Sequence, residues 1–192
     1  MNHLPDDAGP VLTSLARHSI AKRLGQTSPE PPIADWLAAP GASFVTLTKL
    51  GQLRGCIGSL VAWRALGDDV VGNAVAAAFD DPRFMPLGVD ELANISIEVS
   101  VLSQPLPMTF TSRADALAQL RPGLDGVILT EGRRRATFLP QVWDELPQPA
   151  IFVEHLLRKA GLPPNHWSDT VELSRYSVDA FAEAPTSPND QV

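Results

Sequence analysis

Arginine and cysteine stand two residues apart in a short glycine-containing segment, LRGCIGS at positions 53–59. In a β-strand, alternation places Arg54 and Cys56 on the same face. A guanidinium group near a thiol favours the thiolate, which is the nucleophilic form of cysteine. Gly55 and Gly58 carry no side chains, so a ligand could approach the backbone N–H groups beside them. The spacing therefore predicts a small-anion pocket next to a reactive thiol.

The same segment also allows a purely structural interpretation. A free cysteine is among the residue types most often buried, and glycines within strands commonly mark bulges. None of the four histidines lies near Cys56 in the sequence. His155 is the best candidate for a partner in space, because it lies on a predicted helix. The sequence leaves both interpretations of Cys56 open.

The charges around the motif depend on the turn that precedes it. Gly51 and Gln52 are predicted to form a two-residue hairpin turn, with glycine in the first central position. That register sets Lys49 directly opposite Arg54. Because like charges across a strand pair repel, the two side chains either point into water or hold an anion between them.

Acidic, basic and aromatic residues elsewhere are candidates for the same site. Asp81, Arg83 and Phe84 follow a predicted helix in the segment DDPRF. They form either a tight turn, in which the aspartate bonds local N–H groups, or the rim of a pocket beside the cysteine. Glu98 lies on the polar face of a predicted strand, where it is either solvated or paired with Arg54 or Arg83.

Neither a metal site nor a cofactor is predicted. One cysteine and four isolated histidines do not have the spacing of zinc motifs, and the glycine-rich phosphate-binding motifs are absent. With 22 acidic and 15 basic side chains the net charge is -7, so nucleic-acid binding is not expected. No run of about 18–20 apolar residues predicts a membrane span, and the N-terminus lacks the pattern of a secretory signal. A cytoplasmic location is therefore expected, where a lone thiol stays reduced.

The elements that position these residues mix hairpins and helices, which predicts an α+β fold rather than a doubly wound parallel sheet. Apolar residues at helical spacing predict helices over 11–25, 65–79 and 149–162. Strands are predicted at 43–50, 53–60, 94–102 and 171–178, with a second hairpin that turns near Gly132. Polar, proline-containing ends predict flexible segments at 1–9 and 184–192, around one domain at 10–183.

Six blocks of the sequence resemble, in the same order, those of a known family: GQLRGCIGSL, DPRFMPL, ISIEVSVLSQP, DGVIL, TFLPQVWDEL and FVEHLLRKAGLP. The family is the AMMECR-one domain family, whose bacterial and archaeal members are called AmmeMemoRadiSam system protein A. The resemblance covers about residues 10–183, and the Arg-Gly-Cys-Ile-Gly block is its most specific part. Two departures stand out: Ser59 replaces a threonine found in many relatives, and VAWRALG lacks a proline often present there.

The resemblance implies an α+β fold of two intertwined subdomains in one compact unit. It also implies two partners, a Memo-like protein related to class III extradiol dioxygenases and a radical S-adenosylmethionine enzyme. Carried over by position, the distinctive surface of the family includes the motif from Arg54 to Gly58. Its expected neighbours are Asp81, Arg83, Phe84 and Glu98. The residues expected to bind a ligand are Gly55, Ile57, Gly58, Asp81, Arg83 and Phe84.

Two functions of different kinds are compatible with these residues. In the first, the protein is an interaction module in a radical-enzyme pathway, with a ligand pocket at the motif and a packed, unreactive thiol. In the second, it is an enzyme: Arg54 holds a small anionic substrate, Cys56 is a nucleophile or redox thiol, and Glu98 orients the arginine or transfers a proton. Because acid–base groups are few and cofactor motifs are absent, the sequence slightly favours the module.

Overall fold

The computed structural model describes residues 4–183. These residues form two units, and the chain passes from the first unit to the second and back. The described part of the first unit consists of residues 4–102 and 179–183, and the second unit consists of residues 103–178. The predicted flexible tail at 184–192 lies outside the described residues.

The first unit contains two helices and most of a five-stranded sheet. Its helices are α1 (Ala8–Arg23) and α2 (Leu66–Phe79), with 3-10 turns at Asp35–Ala38 and Val89–Asn94. Its strands are β1 (Pro40–Lys49), β2 (Gln52–Gly58), β3 (Arg64–Ala65), β4 (Ile95–Leu102) and β9 (Val178–Ala182). The strand order is β2-β1-β4-β9, and β3 pairs with the start of β1.

The first helix begins earlier than its apolar pattern predicts. Ala8 is fully buried, so the end of the segment predicted to be flexible, 1–9, belongs to α1. Two cations, Lys22 and Arg23, occupy the last turn of α1, where the partial negative charge of the helix C-terminus favours them. Gly25 follows with φ of 71°, a left-handed conformation that glycine adopts readily after a helix.

Both helices of the first unit bury apolar side chains against one face of its sheet. Val45 in β1 and Val99 in β4 have no exposed surface, and they belong to one core cluster with Leu12 of α1 and Val70 of α2. The opposite face of the same strands carries the polar residues of the alternating pattern. Burial of this apolar area is the main term that stabilises the unit.

The last described residue closes the first unit. Glu183 accepts hydrogen bonds from the guanidinium of Arg17 in α1, at 2.6 Å from Nη2, and from the backbone N–H of Ile97 in β4, at 3.0 Å. The carbonyl of Ile97 accepts the backbone N–H of Glu183 in return. The C-terminal strand is therefore tied to both α1 and β4.

The second unit is a four-stranded antiparallel sheet with two helices. Its elements are β5 (Leu106–Pro107), α3 (Arg113–Gln119), β6 (Gly126–Glu131), β7 (Arg134–Phe138), α4 (Pro149–Lys159) and β8 (Glu172–Tyr176), with a 3-10 turn at Pro140–Asp144. The strand order is β5-β8-β6-β7. Phe152 of α4 stacks on Trp143, with ring centroids 3.7 Å apart, and meets Phe138 edge to face. Aromatic side chains thus fill the centre of this core.

The α+β class predicted from the sequence is confirmed, with all the strand pairs of known register antiparallel. The three predicted helices and the strands around the motif are present with boundaries within a few residues. Three strands, β3, β5 and β9, were not predicted. Two of them have only two residues, which is too short for an alternating pattern to appear. In the described part of the chain, no helix combines the length and apolar character of a membrane span.

Candidate functional site

The hairpin that carries the motif turns one residue earlier than predicted. Leu50 and Gly51 are the two turn residues, with φ of 53° and 75°, as a type I′ turn requires. Lys49 consequently faces Gln52 and not Arg54. The predicted Gly51–Gln52 turn is wrong because a leucine occupies the left-handed region, where non-glycine residues are uncommon.

A β-bulge lies in the middle of the motif. The register with β1 shifts between Gly55 and Leu53, so Arg54 has no partner residue in β1. The bulge interrupts the alternation from which the shared face of Arg54 and Cys56 was predicted. Among the described residues, no hydrogen bond or ion pair joins these two side chains, since the guanidinium of Arg54 bonds elsewhere.

The group between Lys49 and Arg54 is a carboxylate of the protein itself. Glu91 Oε1 lies 2.9 Å from Lys49 Nζ, and Glu91 Oε2 lies 2.8 Å from Arg54 Nη2. The backbone N–H of Gly88 donates to the same carboxylate at 3.1 Å. The sequence left open whether the two cations point into water or hold an anion, on a register that is wrong, and it missed Glu91.

These contacts fix the charge state of the Glu91 cluster. Hydrogen bonds from Arg54 and then Lys49 hold the pKa of Glu91 well below its usual value, and the bond with Glu91 raises the pKa of Arg54. One available signal was the spacing of Gly88 and Glu91, because an acid three residues after a turn start often bonds back to the N–H there.

A second pair, Asp81 and Arg83, closes the open edge of β2 beside Cys56. Asp81 Oδ2 accepts the backbone N–H of Cys56 at 2.9 Å, and Arg83 Nη2 donates to the carbonyl of Cys56 at 3.2 Å. Because β2 is an edge strand, these are the groups that a further strand would otherwise bind. The pair therefore takes the place of a neighbouring strand at the cysteine.

The geometry of this pair is tight and internally bonded. Arg83 Nε and Nη2 lie 2.9 and 2.6 Å from the two oxygens of Asp81, and the backbone N–H of Arg83 donates to the same carboxylate at 3.1 Å. The bonds from Arg83 hold the pKa of the buried Asp81 carboxyl well below its usual range. The DDPRF segment is thus a tight turn in which the aspartate bonds a local N–H, and it lies beside the cysteine. Its place on the rim of a pocket stays a prediction.

Phe84 lies near both arginines of the site. Its ring centroid is 5.9 Å from Arg54 Cζ and 5.5 Å from Arg83 Cζ, which are cation–π distances. Arg54 Nη1 is buried and has no hydrogen-bond partner among the described residues. The predicted neighbours Asp81, Arg83 and Phe84 are therefore brought together with the motif, but Arg83, not Arg54, is the arginine bonded to the cysteine residue.

Cys56, Thr46 and Glu98 form a row across three strands. Thr46 in β1 pairs with Cys56 on one side and with Glu98 in β4 on the other. The thiol Sγ lies 3.3 Å from Thr46 Oγ1, and Cys56 is only partly buried. The side chain of Glu98 makes no hydrogen bond or ion pair within residues 4–183, so its predicted role in orienting Arg54 is wrong: Glu91 holds that arginine.

No imidazole in the described part of the first unit is bonded to the thiol. His18 Nδ1 lies 3.1 Å from the carbonyl of Pro29 and 3.0 Å from Ser28 Oγ. His155, the predicted partner, is exposed on α4 of the second unit. In the described residues, no group of three His, Cys, Asp or Glu side chains could hold a metal ion.

The glycines of the motif allow close packing of the protein on itself. A Cβ at Gly55 would collide with the carbonyl of Ala77 in α2, and one at Gly58 would collide with the ring of Phe44. Ile57 packs against the helical core of the first unit. Gly55 and Ile57 thus face the helices, so their predicted contact with a ligand is not supported by this geometry.

A buried polar cluster that the sequence did not reveal lies next to the motif. Asp69 in α2 has no exposed surface and accepts five hydrogen bonds, from the backbone and side chain of Ser43, Ser59 Oγ, Arg64 Nε and Asn73 Nδ2. The hydroxyl of Ser59 is therefore used for structure. α2 begins directly after β3, where the backbone N–H of Leu66 donates to the carbonyl of Ala39.

Most of the exposed large hydrophobic side chains lie in the part of the sequence that contains the motif. Eleven large hydrophobic side chains are exposed in the described residues, and seven of them lie between positions 50 and 89. They are Leu50, Leu53, Leu60, Val61, Trp63, Met85 and Val89. Beside the hairpin turn, Lys49 and Arg54 line a pocket of about 240 Å³ together with Leu50, Gln52 and Leu53. We call the exposed set formed by Leu50, Leu53, Met85 and Val89 the hairpin patch.

Comparison with known proteins agrees with the sequence blocks. A sequence profile of the AMMECR1 family matches residues 13–181. A protein of Methanothermobacter thermautotrophicus is 38% identical over 94% of this chain and 96% of its own length, and one of Saccharolobus solfataricus is 37% identical over 98% and 86%. The crystal structure of an uncharacterised protein from Pyrococcus horikoshii has a TM-score of 0.78 at 30% identity, covering 94% of this chain and 93% of its own. The chain therefore belongs to the AMMECR1 family.

Proposed function

We propose that the protein is a binding module that docks a partner on the hairpin patch beside the Arg54–Gly58 motif. The observation that carries this proposal is the set of four exposed apolar side chains that form the patch, Leu50, Leu53, Met85 and Val89, out of eleven in the described residues. Contiguous apolar surface rimmed by polar groups is typical of interaction sites. Met85 is 80% exposed and Leu50 is 92% exposed, so both would lose much apolar surface to a partner.

The charges of the site support binding more than catalysis. Arg54 and Lys49 are held by Glu91, and Arg83 is held by Asp81. These three cations and two carboxylates leave one excess positive charge, and Lys49 is 37% exposed at the pocket. We infer that this pocket takes one anionic group, either a free small anion or an acidic side chain of the partner.

The expected partners are the Memo-like protein and the radical S-adenosylmethionine enzyme that the family resemblance implies. Neither is required by the geometry, so they are the first candidates to test. The cytoplasmic location of the protein stays a prediction.

The test is to measure binding of the purified full chain to each of these proteins, taken from the same genome. The Met85→Asp variant should weaken binding about tenfold or more, because it places a charge in the centre of the patch. Ile33→Asp is the matched control, since Ile33 is 98% exposed and lies outside the patch. The proposal would be contradicted if neither protein binds the chain, or if the two variants lose the same amount of affinity.

A second candidate is an enzyme that uses Cys56 as a nucleophile or redox thiol on a small anionic substrate. It is favoured by one observation: the thiol is partly exposed, while its backbone is clamped by Asp81 and Arg83. The rate of alkylation of the native protein by iodoacetamide distinguishes the candidates. Labelling as fast as that of free glutathione favours the enzyme, whereas protection until the chain unfolds favours the module.

A further inference from the structure

A groove on the helical side of the first unit has the composition of a ligand site. It lies between α1 and α2 and has a volume of about 530 Å³, within the range of roughly 300–1,000 Å³ for small-molecule sites. Its apolar lining comes from Leu15 of α1 and from Val71 and Val75 of α2, all three partly exposed. None of these residues belongs to the motif or to the hairpin patch.

The rim of this groove carries the two basic side chains of the unit that have no carboxylate partner in the described residues. In its described residues the first unit has seven Lys and Arg side chains, and five of them form salt bridges with carboxylates. The two without such a partner are Lys22 and Arg23, and both line the groove. The Cζ atom of Arg23 lies 5.9 Å from the centroid of the Phe79 ring. This aromatic contact carries no negative charge, so it does not replace a counterion. Although acidic side chains outnumber basic ones and the net charge of the chain is -7, none of the described carboxylates pairs with these two cations.

The third polar group of the rim is already oriented. His18 bonds the carbonyl of Pro29 through Nδ1, which leaves Nε2 on the other side of the ring. Glu30 Oε2 lies 4.0 Å from that nitrogen, but its side chain is 89% exposed and forms no ion pair with Lys22 or Arg23. The acid therefore does not neutralise the two cations.

We propose that this groove binds an amphipathic anion, with an apolar body against Leu15, Val71 and Val75 and an anionic head between Lys22 and Arg23. Apolar contact provides affinity, and the two cations select the charge of the head group. The aliphatic stems of both cations extend the apolar walls, while their charged ends stay in water. A carboxylate and a phosphate monoester share this chemistry.

The test is an NMR titration of the full-length, ¹⁵N-labelled protein with sodium octanoate, 1-octanol and octyl phosphate. Octanoate should shift the amide signals of Leu15, Val71 and Val75 with a Kd below about 1 mM, and octanol should bind about tenfold more weakly. Comparing the affinities for octyl phosphate and octanoate shows whether the groove prefers a phosphate monoester or a carboxylate head group. The Lys22→Gln/Arg23→Gln variant should lose about tenfold in octanoate affinity, as expected for two exposed ion pairs.

The matched control is Arg133→Gln/Arg135→Gln, which removes two exposed cations from the second unit and should leave the affinity unchanged. Three results would overturn the proposal: equal affinity for octanol and octanoate, equal losses in the two double variants, or no shift in the groove. A shift confined to the pocket at Lys49 and Arg54 would also overturn it, and it would move the anion to the hairpin instead. The docking of a partner on the hairpin patch is tested separately and does not depend on this outcome.

Discussion

Two charged clusters of the first unit use the same chemistry with opposite surroundings. The Asp69 cluster places a carboxylate with no exposed surface among five hydrogen-bond donors. The hairpin cluster, formed by Lys49, Arg54, Asp81, Arg83 and Glu91, also pairs its charges, but Arg83 is 53% exposed, and the exposed side chains of the hairpin patch lie on the same segments of the chain. Paired charges alone therefore do not mark a functional site. What distinguishes the hairpin cluster is the exposed surface that it supports.

The largest expected effect would come from the buried cluster. Asp69→Ala leaves the guanidinium of Arg64 and the N–H of Ser43 without their acceptor, and we expect a loss of about 3–5 kcal/mol in the free energy of unfolding. Urea denaturation monitored by circular dichroism measures it. Asp69→Asn, which keeps the shape and loses the charge, should cost less. If Asp69→Ala lowers the free energy of unfolding by less than Glu91→Gln in the hairpin cluster, the contrast between the two clusters is not supported.

The next effect tests whether the motif glycine serves packing. Gly55→Ala should destabilise the fold by about 2–3 kcal/mol, because a Cβ there meets the backbone carbonyl of Ala77 and α2 must move. Gly67→Ala is the control: its Cβ would lie 3.3 Å from a side-chain carbon of Leu37, and the gain in helix propensity offsets the contact. The two unfolding curves should differ clearly. If they coincide, Gly55 is free for a ligand.

Glu91→Gln should cost about 1 kcal/mol at pH 7, because water screens part of its pairing with Lys49 and Arg54. The pKa of Glu91 is lower in the folded state, so its ionised form stabilises the fold above a pH of about 4.3 and this contribution disappears as the pH falls through the folded pKa. The difference between the wild type and the variant should therefore shrink from pH 7 to pH 3. A difference that grows on acidification would show that the pKa of Glu91 is not lowered in the folded state.

The smallest effect is expected at the cysteine. Cys56→Ala should lower the free energy of unfolding by less than about 1 kcal/mol, because Asp81 and Arg83 bond the backbone of this residue and any side chain leaves those bonds in place. Loss of a biological activity in this stable variant would support the enzyme. Retention of partner binding would support the module.

The sequence predicted the elements with a clear period and missed those that depend on single residues. Alternation in ISIEVSVL gave β4, and the apolar spacing gave α1 and α2. The turn at Leu50 was missed because its backbone is in a conformation rare for leucine, and the bulge at Arg54 because no local pattern marks it. Glu91 was missed because its partners lie 37 and 42 residues away in the chain. Proximity across such distances is set by packing, not by spacing.

The bond between Glu183 and Arg17 spans 166 residues, and β9 is the last of the described strands to leave the ribosome. Until then β4 has one open edge, and α1 lacks the carboxylate that fixes its arginine. The first unit therefore begins its synthesis early and completes its sheet late, after the whole second unit has been made. A nascent chain stalled after residue 178 would present β4 with one unpaired edge, which is the kind of edge that attracts chaperones and promotes aggregation. The order of assembly therefore follows from the return of the chain to the first unit after the second unit.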